Sequence, residues 1–526
     1  MDSFEVLIVD DDKSVTDLLL GQFKDRPDIH VIAASSARDA MDVVKKHFFH
    51  VAFVDMQLTK NTADGMGVFN YLRNSRPSCK AILLTAYPDV YQKELFVLFN
   101  PLFPQAHGAI DKSDYALFAT TVVDKLSAAW LLGKRVVVGL PALAELVRLK
   151  AANTDVRVTD AEIDFVLSSL MGQGIEPQPD QSDAALLMNT IELSELEGGR
   201  SRSVVTAGRP KDAAGNLGIW CVIKIGPRSE VEQEYSRYCS YVRFSVALNH
   251  RVELLGERFA DTTGAICYSF AGRSPFTVRS LFELFRTGED ATPYFDLMFS
   301  RGNQELYGRR GPRRDLAAYF NATYRLDPRR IHRTIEDFLD TLIDSLRQEP
   351  DLAGSEIMTR ASVGRLSRAF SATIIRQPLE TCIVHGDMNA NNVIVAEDGR
   401  VIYIDYFHTG CGPRTVDFAA LEGSLRLATC PGTIGGVLSD GEREESAWRA
   451  AWRNAPFDDS GTGPYWARTS RTLASFAKDN FSDLTAEEYA ATCLLWGARL
   501  FRVTQLSQLE RLRVLLWMVQ CAAVIT

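Results

Sequence analysis

Two groups of residues in this 526-residue chain have the types and spacing to move a phosphoryl group. The first is Asp10, Asp11, Asp55, Thr85 and Lys112, each standing where an apolar run stops. In an open parallel sheet, ligands collect outside the carboxyl ends of the strands, so this pattern gathers three carboxylates, a hydroxyl and an ammonium. Clustered carboxylates repel and raise one another's pKa unless a cation joins them, and a hard divalent ion such as Mg²⁺ removes the conflict. A carboxylate in that setting can attack a phosphoryl group and become an acyl phosphate. Lys112 would then offer the new dianion a point charge, and Thr85 a hydroxyl donor. The second group lies in CIVHGDMNANNVIV (382–395) and VIYIDYFHTGCGPRTVDFA (401–419). Phosphoryl transfer asks for a carboxylate beside the acceptor hydroxyl and for metal ligands that hold nucleotide phosphates. Asp387, Asn392 and Asp405 supply that set.

Elements must position these residues. Residues 1 to about 131 alternate apolar runs (Val6–Val9, Ile29–Ala34, Val51–Val54, Ala81–Leu84 and a weak Ala109–Ile110) with amphipathic stretches. That alternation predicts βα units and a parallel sheet buried on both faces. From 132 to 185, Pro141–Lys150 and Asp160–Met171 read as helices and GQGIEPQPDQSD (172–183) as a linker. An α+β pattern begins near Asn189. Beyond about 275 nearly everything except a hairpin near 393–405 reads helical. Thr485-Ala-Glu-Glu488 predicts a capping box opening a helix that ends near Phe501.

The first 131 residues resemble the bacterial response-regulator receiver family through VLIVDDD (6–12), VAFVDMQL (51–58), ILLTA (82–86) and AIDK (109–112). The resemblance implies a flavodoxin-like, doubly wound, five-stranded parallel sheet. It makes Asp55 the phosphoacceptor, with Asp10, Asp11 and the Gln57 carbonyl at the metal and a sensor histidine kinase or phosphotransfer protein as donor. The pattern departs from the family at Ser113, where proline usually follows the lysine, and at Ala109, where an aromatic residue usually stands. The loop from Asp55 to Gly65 is also longer than usual and lacks the common proline.

Residues 186–526 resemble the aminoglycoside phosphotransferase and choline kinase superfamily, related in fold to protein kinases. His385, Gly386, Asp387 and Asn392 match its H-G-D-x-x-x-x-N signature, Ile404-Asp405 its I-D segment, and Asp417-Phe418-Ala419 its D-x-A. The resemblance implies an α+β bilobal domain (N-lobe 186–272, C-lobe 273–526) that uses ATP and Mg²⁺. Asp387 would be the catalytic base, Asn392 and Asp405 metal ligands, and Asp417 structural. Upstream, Gly198-Gly199 form a turn whose backbone N–H groups could approach phosphates. Lys224 in IWCVIKIG (219–226) would contact those phosphates as the strand lysine does in kinases. Glu234 is the preferred partner of Lys224, with Glu232 the alternative.

Other readings are weaker. The net charge of −9 argues against nucleic-acid or membrane partners. A helix-turn-helix regulator is disfavoured because 132–185 is short and poor in basic residues. Nine dispersed cysteines, none spaced C-x-x-C, predict reduced thiols, and the non-basic start MDSFEVLIVDDD predicts no signal peptide, hence a cytoplasmic protein. The basic run YGRRGPRR (307–314) reads as a solvated loop or a contact for an acidic substrate or partner. The expected whole is a receiver, able to dimerise, that controls a phosphotransferase of unknown acceptor. The rival is a nucleotide-binding pseudokinase scaffold under the same control.

Overall fold

The computed structural model describes residues 3–58, 64–75, 79–85, 109–111, 119–124, 127, 136–138, 140–151, 158–170, 190–196, 202–212, 214–272, 277–346, 360–440, 452 and 465–525. They fall into two compact units, Met1–Glu232 with Leu254–Phe270, and Gln233–Glu253 with Ala271–Thr526.

The first unit opens with strands β1 (Phe4–Val9), β2 (Ile29–Ala34), β3 (Val51–Asp55), β4 (Lys80–Thr85) and β5 (Ala109–Asp111), all parallel and ordered β2-β1-β3-β4-β5. Helices α1 (Lys13–Phe23), α2 (Ala37–Val44) and α3 (Asp64–Ser75) alternate with them. Successive strand side chains point to opposite faces, so the unbroken apolar runs fill two cores. Leu7, Val9, Ala52, Val54, Ala81 and Leu83 pack under α2 and α3. Val6, Ile8, Val51, Phe53, Ile82 and Leu84 pack with Leu19 and Phe23 of α1 and with Ala119 and Val123. This is the flavodoxin-like order expected of the N-terminal sequence.

The same unit holds a second sheet, ordered β10-β11-β9-β8-β7-β6, from β6 (Val136–Val138), β7 (Thr190–Glu195), β8 (Val204–Lys211), β9 (Cys221–Pro227), β10 (Leu254–Phe259) and β11 (Thr263–Ser269). Helices α4 (Leu140–Ala151) and α5 (Asp160–Ser169) lie between β6 and β7, in the segment expected as a helical connector. That segment is not purely helical, because β6 joins β7 in parallel. The short run Val136–Val138 has no alternation to mark it, and pairing at a sheet edge makes it a strand.

α5 is fastened at both ends. Thr159 caps it by accepting from the Glu162 N–H, and the buried Glu162 carboxylate accepts from the Thr262 N–H (2.8 Å) and hydroxyl (2.5 Å) in the β10–β11 turn. At the other end an Arg258 Nη2 donates to the Ser169 carbonyl (3.2 Å). Phe165 on α5 meets Phe48 and His50, which precede β3, at ring separations of 5.0 and 5.9 Å. One apolar cluster thus runs from Phe48 through α4 and α5 to Ile191, Ile223 and Cys267 of the second sheet.

Helix α6 (Arg228–Arg237) leads into the second unit and continues as a π-helical turn, Tyr238–Val242. Among the described residues that unit has strand β12 (Arg279–Ser280), helix α7 (Leu281–Thr287), strand β13 (Arg310–Asp315), helices α8 (Leu316–Tyr324), α9 (Pro328–Leu346) and α10 (Arg360–Phe370), then strands β14 (Pro378–Val384), β15 (Val393–Val395), β16 (Val401–Tyr403) and β17 (Gly410–Pro413). Helices α11 (Val416–Ala428), α12 (Tyr465–Asn480), α13 (Ala486–Phe501) and α14 (Gln508–Ile525) complete it. Two antiparallel three-stranded sheets result, β12-β15-β16 and β13-β14-β17. The second was not legible in the sequence. Arg310–Asp315, expected as loop or helix, is an edge strand bulged at Gly311–Arg314 around Pro312, and its polar side chains carry no apolar alternation.

The helix start at Thr485 is as expected, with the Thr485 hydroxyl accepting from the Glu488 N–H at 3.1 Å. Glu488 itself turns elsewhere: its carboxylate takes both Nε and Nη2 of the buried Arg414, each at 2.9 Å. The pair ties α13 to the turn that begins α11. No helix among the described residues is long and apolar enough to cross a membrane.

Candidate active site

Parallel pairing of β1 with β3, Val9 opposite Val54, sets Asp10 and Asp55 side by side. Ligand oxygens of Asp10, Asp11 and Asp55 all lie within 4.8 Å of one another, with Asp10 and Asp55 buried and Asp11 exposed. Asp10 Oδ1 accepts from the Asp12 N–H (2.9 Å) and Asp55 Oδ1 from the Gln57 N–H (3.3 Å), contacts that orient both carboxylates. The set is all oxygen and compact, which fits a hard divalent cation such as Mg²⁺. Gly65, at the start of α3, is required for space: a Cβ there would sit 1.7 Å from the Asp55 carbonyl oxygen. Gly65 was not foreseen as a site residue, since its role depends on a helix packing back onto the strand end. Thr85 closes β4 in register with Asp111. Lys112, Gly198 and Gly199 lie outside the described residues, as does Ser113.

In the second unit, β14 delivers His385-Gly386-Asp387. Asp417, fully buried at the start of α11, accepts from the backbone N–H of His385 (2.9 Å) and Gly386 (2.8 Å) and from the Tyr307 hydroxyl (3.2 Å). Burial raises the Asp417 carboxyl, the donors acting against it. Gly386 turns at φ 79°, where a Cβ would come within 2.3 Å of the His408 carbonyl oxygen, so the loop admits only glycine. Asn392 Nδ2 donates to the Asp387 carbonyl at 2.8 Å, the Ile404 N–H donates to the Asn392 carbonyl at 3.0 Å, and His385 Nε2 lies 3.0 Å from the Ile404 carbonyl. These links bring Asp387, Asn392 and Asp405 to one place. Asp405 is held at φ 62°, a left-handed conformation that is uncommon for non-glycine residues.

One partner was invisible in the sequence. Arg499, near the end of α13, donates from Nη1 to Asp387 Oδ1 at 2.8 Å and stacks its guanidinium over Tyr324 and Trp496, each centroid 4.4 Å away. Burial of Asp387 opposes ionisation, but the charge and hydrogen bond of Arg499 outweigh it and hold the carboxyl well below its usual range. Its only sequence signal was an arginine on a strongly apolar helix. His408 sits near this pair, and burial brings its imidazole down to about 4.

Lys224 lies on β9 of the first unit and is buried, between Ile266 and Val205 in register. Glu234 on α6 is also buried, whereas Glu232 is exposed and donated to by Arg228 Nε at 3.2 Å. The unforeseen Lys150 of α4 donates to the Ser203 carbonyl (2.9 Å), and burial with the nearby Lys224 charge lowers its pKa.

Residues 6–97 match the family model of the response regulator receiver domain, and residues 314–452 that of the phosphotransferase enzyme family. No curated protein matches the chain. Similar solved structures include response regulator TrrA of Thermotoga maritima in complex with Mg²⁺-BeF, at 22% identity over 23% of this chain and 98% of that one, TM-score 0.20. Another is the receiver domain of a putative LuxO repressor protein of Vibrio parahaemolyticus, at 20% identity over 24% and 91%, TM-score 0.21. The receiver domain of Brucella abortus NtrX matches at 18% identity over 23% and 98%, TM-score 0.20. The chain therefore carries a receiver domain of flavodoxin-like fold and a phosphotransferase-family domain of kinase-like fold.

Proposed function

We propose that this chain is a two-component signalling enzyme in which phosphorylation of Asp55 regulates an ATP-dependent phosphotransferase acting on a hydroxyl of a protein or small molecule. The proposed domains are a receiver over 1–131, a connector and linker over 132–185, and a kinase domain over 186–526. A sensor histidine kinase or phosphotransfer protein would supply the receiver's phosphoryl group in the cytoplasm, and the receiver could also dimerise. Asp55 attacks the donor's phosphorus and becomes an acyl phosphate, with Thr85 and Lys112 as partners of the new dianion. Asp10, Asp11, Asp55 and the Gln57 carbonyl would hold one Mg²⁺, and Asn392 and Asp405 another against the nucleotide. Bound there, the metal neutralises phosphate charge. Gly198, Gly199 and Lys224 would cradle the ATP phosphates, with Glu234 orienting Lys224. Asp387 orients the acceptor hydroxyl and takes its proton as the new O–P bond forms and ADP leaves.

The observation that carries the enzymatic reading is the convergence of Asp387, Asn392 and Asp405 on one hydrogen-bonded loop anchored by Asp417. Labelled-ATP transfer in a lysate of the native host tests it, comparing wild type with Asp387→Asn. Label on a protein or metabolite that needs Asp387 supports the enzyme and reveals the acceptor class. A specific observation favours the alternative, a nucleotide-binding scaffold: Arg499 already engages the proposed base. Thermal stabilisation by MgATP with no Asp387-dependent label on anything would establish that reading instead.

A further inference from the structure

A cavity of about 380 Å³ opens within the second unit, walled by Arg237, Ser240 and Tyr241 of α6 and its π-helical turn, Arg314 of β13, Thr323 of α8, and His408. Its volume falls in the range of small-molecule sites, roughly 300–1,000 Å³. Neither aspartate nor glutamate is among its described lining residues. Its two guanidiniums meet neutral groups. Arg237 Nη1 donates to the Thr409 carbonyl at 2.7 Å. With the Gln233 amide turned so that its oxygen faces Arg237, that oxygen lies 3.0 Å from Nη2 and 3.2 Å from Nε. Among the described residues Arg314 Nη1 makes only a long 3.5 Å contact, to the Cys411 carbonyl. Both arginines therefore keep their charge uncompensated by these neighbours, with serine, threonine and tyrosine hydroxyls around them.

Backbone shape keeps the space beside Arg237 open. The π-helical turn inserts an extra residue into the helix just where Ser240 and Tyr241 face the cavity, and such bulges are frequent at functional sites. A Cβ at Gly410 would stand 3.2 Å from Arg237 Nη1 and 3.5 Å from the Tyr241 ring, filling the gap next to the guanidinium. Paired guanidiniums with convergent hydroxyl donors are the chemistry of oxyanion recognition.

We propose that this pocket binds a small molecule through a phosphate or carboxylate group held between Arg237 and Arg314. This goes beyond the phosphotransfer reading, because binding is measured without nucleotide or metal. The full chain is titrated in EDTA with inorganic phosphate, malonate or chloride at matched ionic strength, following thermal unfolding. Wild type, Arg314→Gln at the exposed rim and Ser240→Leu, which fills the cavity, are compared. The expected result is saturable stabilisation by phosphate, malonate or both, beyond that of chloride, with affinity weakened about tenfold or more in Arg314→Gln. A response to phosphate alone assigns a phosphorylated ligand, and a response to malonate alone a carboxylate. Should Ser240→Leu fail to fold, Arg314→Gln decides by itself. An oxyanion response equal to that of chloride, or unchanged in Arg314→Gln, overturns the proposal.

Discussion

Asp387 shows how a single contact sets the chemistry of the group proposed as the catalytic base. Arg499 holds its carboxylate ionised but also makes it a weaker base, so in the proposed reaction orienting the hydroxyl would be its larger task. Replacing Arg499 by methionine removes the nearby positive charge and should raise the Asp387 pKa. The acidic limb of the kcat/KM profile for phosphoryl transfer should then move up by about 1–3 pH units, and an unmoved limb would discard Asp387 as the titrating base. His408 makes a second prediction, of opposite character. Its folded-state pKa of about 4 lies below the ordinary 6.5, so the folded state prefers the neutral ring. That contribution is whole above pH 6.5 and is lost as pH falls from 6.5 through 4. Wild type should lose up to about 3 kcal/mol more than His408→Gln across this window. Calorimetric unfolding at several pH values measures the difference.

At the scale of elements, the start of α13 carries more than a cap. The Thr485 hydroxyl stabilises it by about 1 kcal/mol, the usual value of an N-cap. The Glu488 carboxylate, which a capping box would have turned back on the helix, instead neutralises the buried Arg414. Removing one member of a buried pair costs about 3–5 kcal/mol because the other charge is stranded. Glu488→Gln should therefore destabilise the second unit several times more than Thr485→Ala. Equal losses in chemical denaturation would mean that Asp483, which receives Arg414 Nη1 at 2.6 Å, suffices alone. The same fastening that begins α13 also sets the placement of Arg499, three turns further along.

Within the first unit, the receiver sheet and the sheet bearing Lys224 share a core through α5. Phe165 faces Phe48 and His50, while Glu162 and Ser169 grip β10 and β11. In the regulatory reading an element held this firmly would carry displacement as a rigid body, which suits a receiver without the usual aromatic residue at position 109. In the regulatory reading, forming an acyl-phosphate mimic at Asp55 with Mg²⁺ and beryllofluoride changes nucleotide affinity or turnover. Phe165→Ala should reduce that response at least severalfold while the mimic still binds, as followed by receiver fluorescence. A full response in Phe165→Ala would place the coupling elsewhere, and no response in wild type would remove the regulatory reading.

The grouping of residues at both candidate sites was legible because each depends on short segments whose residue types are constrained together: a strand that must end at Asp10 or Asp55, and a loop that needs Gly386 to turn and Asp387 and Asn392 five residues apart. Strands buried on both faces announce themselves as unbroken apolar runs, so the five-stranded sheet was legible as well. What stayed hidden was decided by packing across long separations. Arg499 reaches Asp387 over 112 positions, and Glu162 reaches Thr262 over 100. Glu488 abandons its own helix for an arginine 74 residues away, and Arg310–Asp315 is a strand only because β14 lies beside it. Local propensity records none of these, since each partner is chosen by which surfaces the fold buries together. The sequence alone determined which groups could carry phosphoryl chemistry; tertiary structure decided which charges stand beside Asp387, and so how tightly its carboxylate holds a proton.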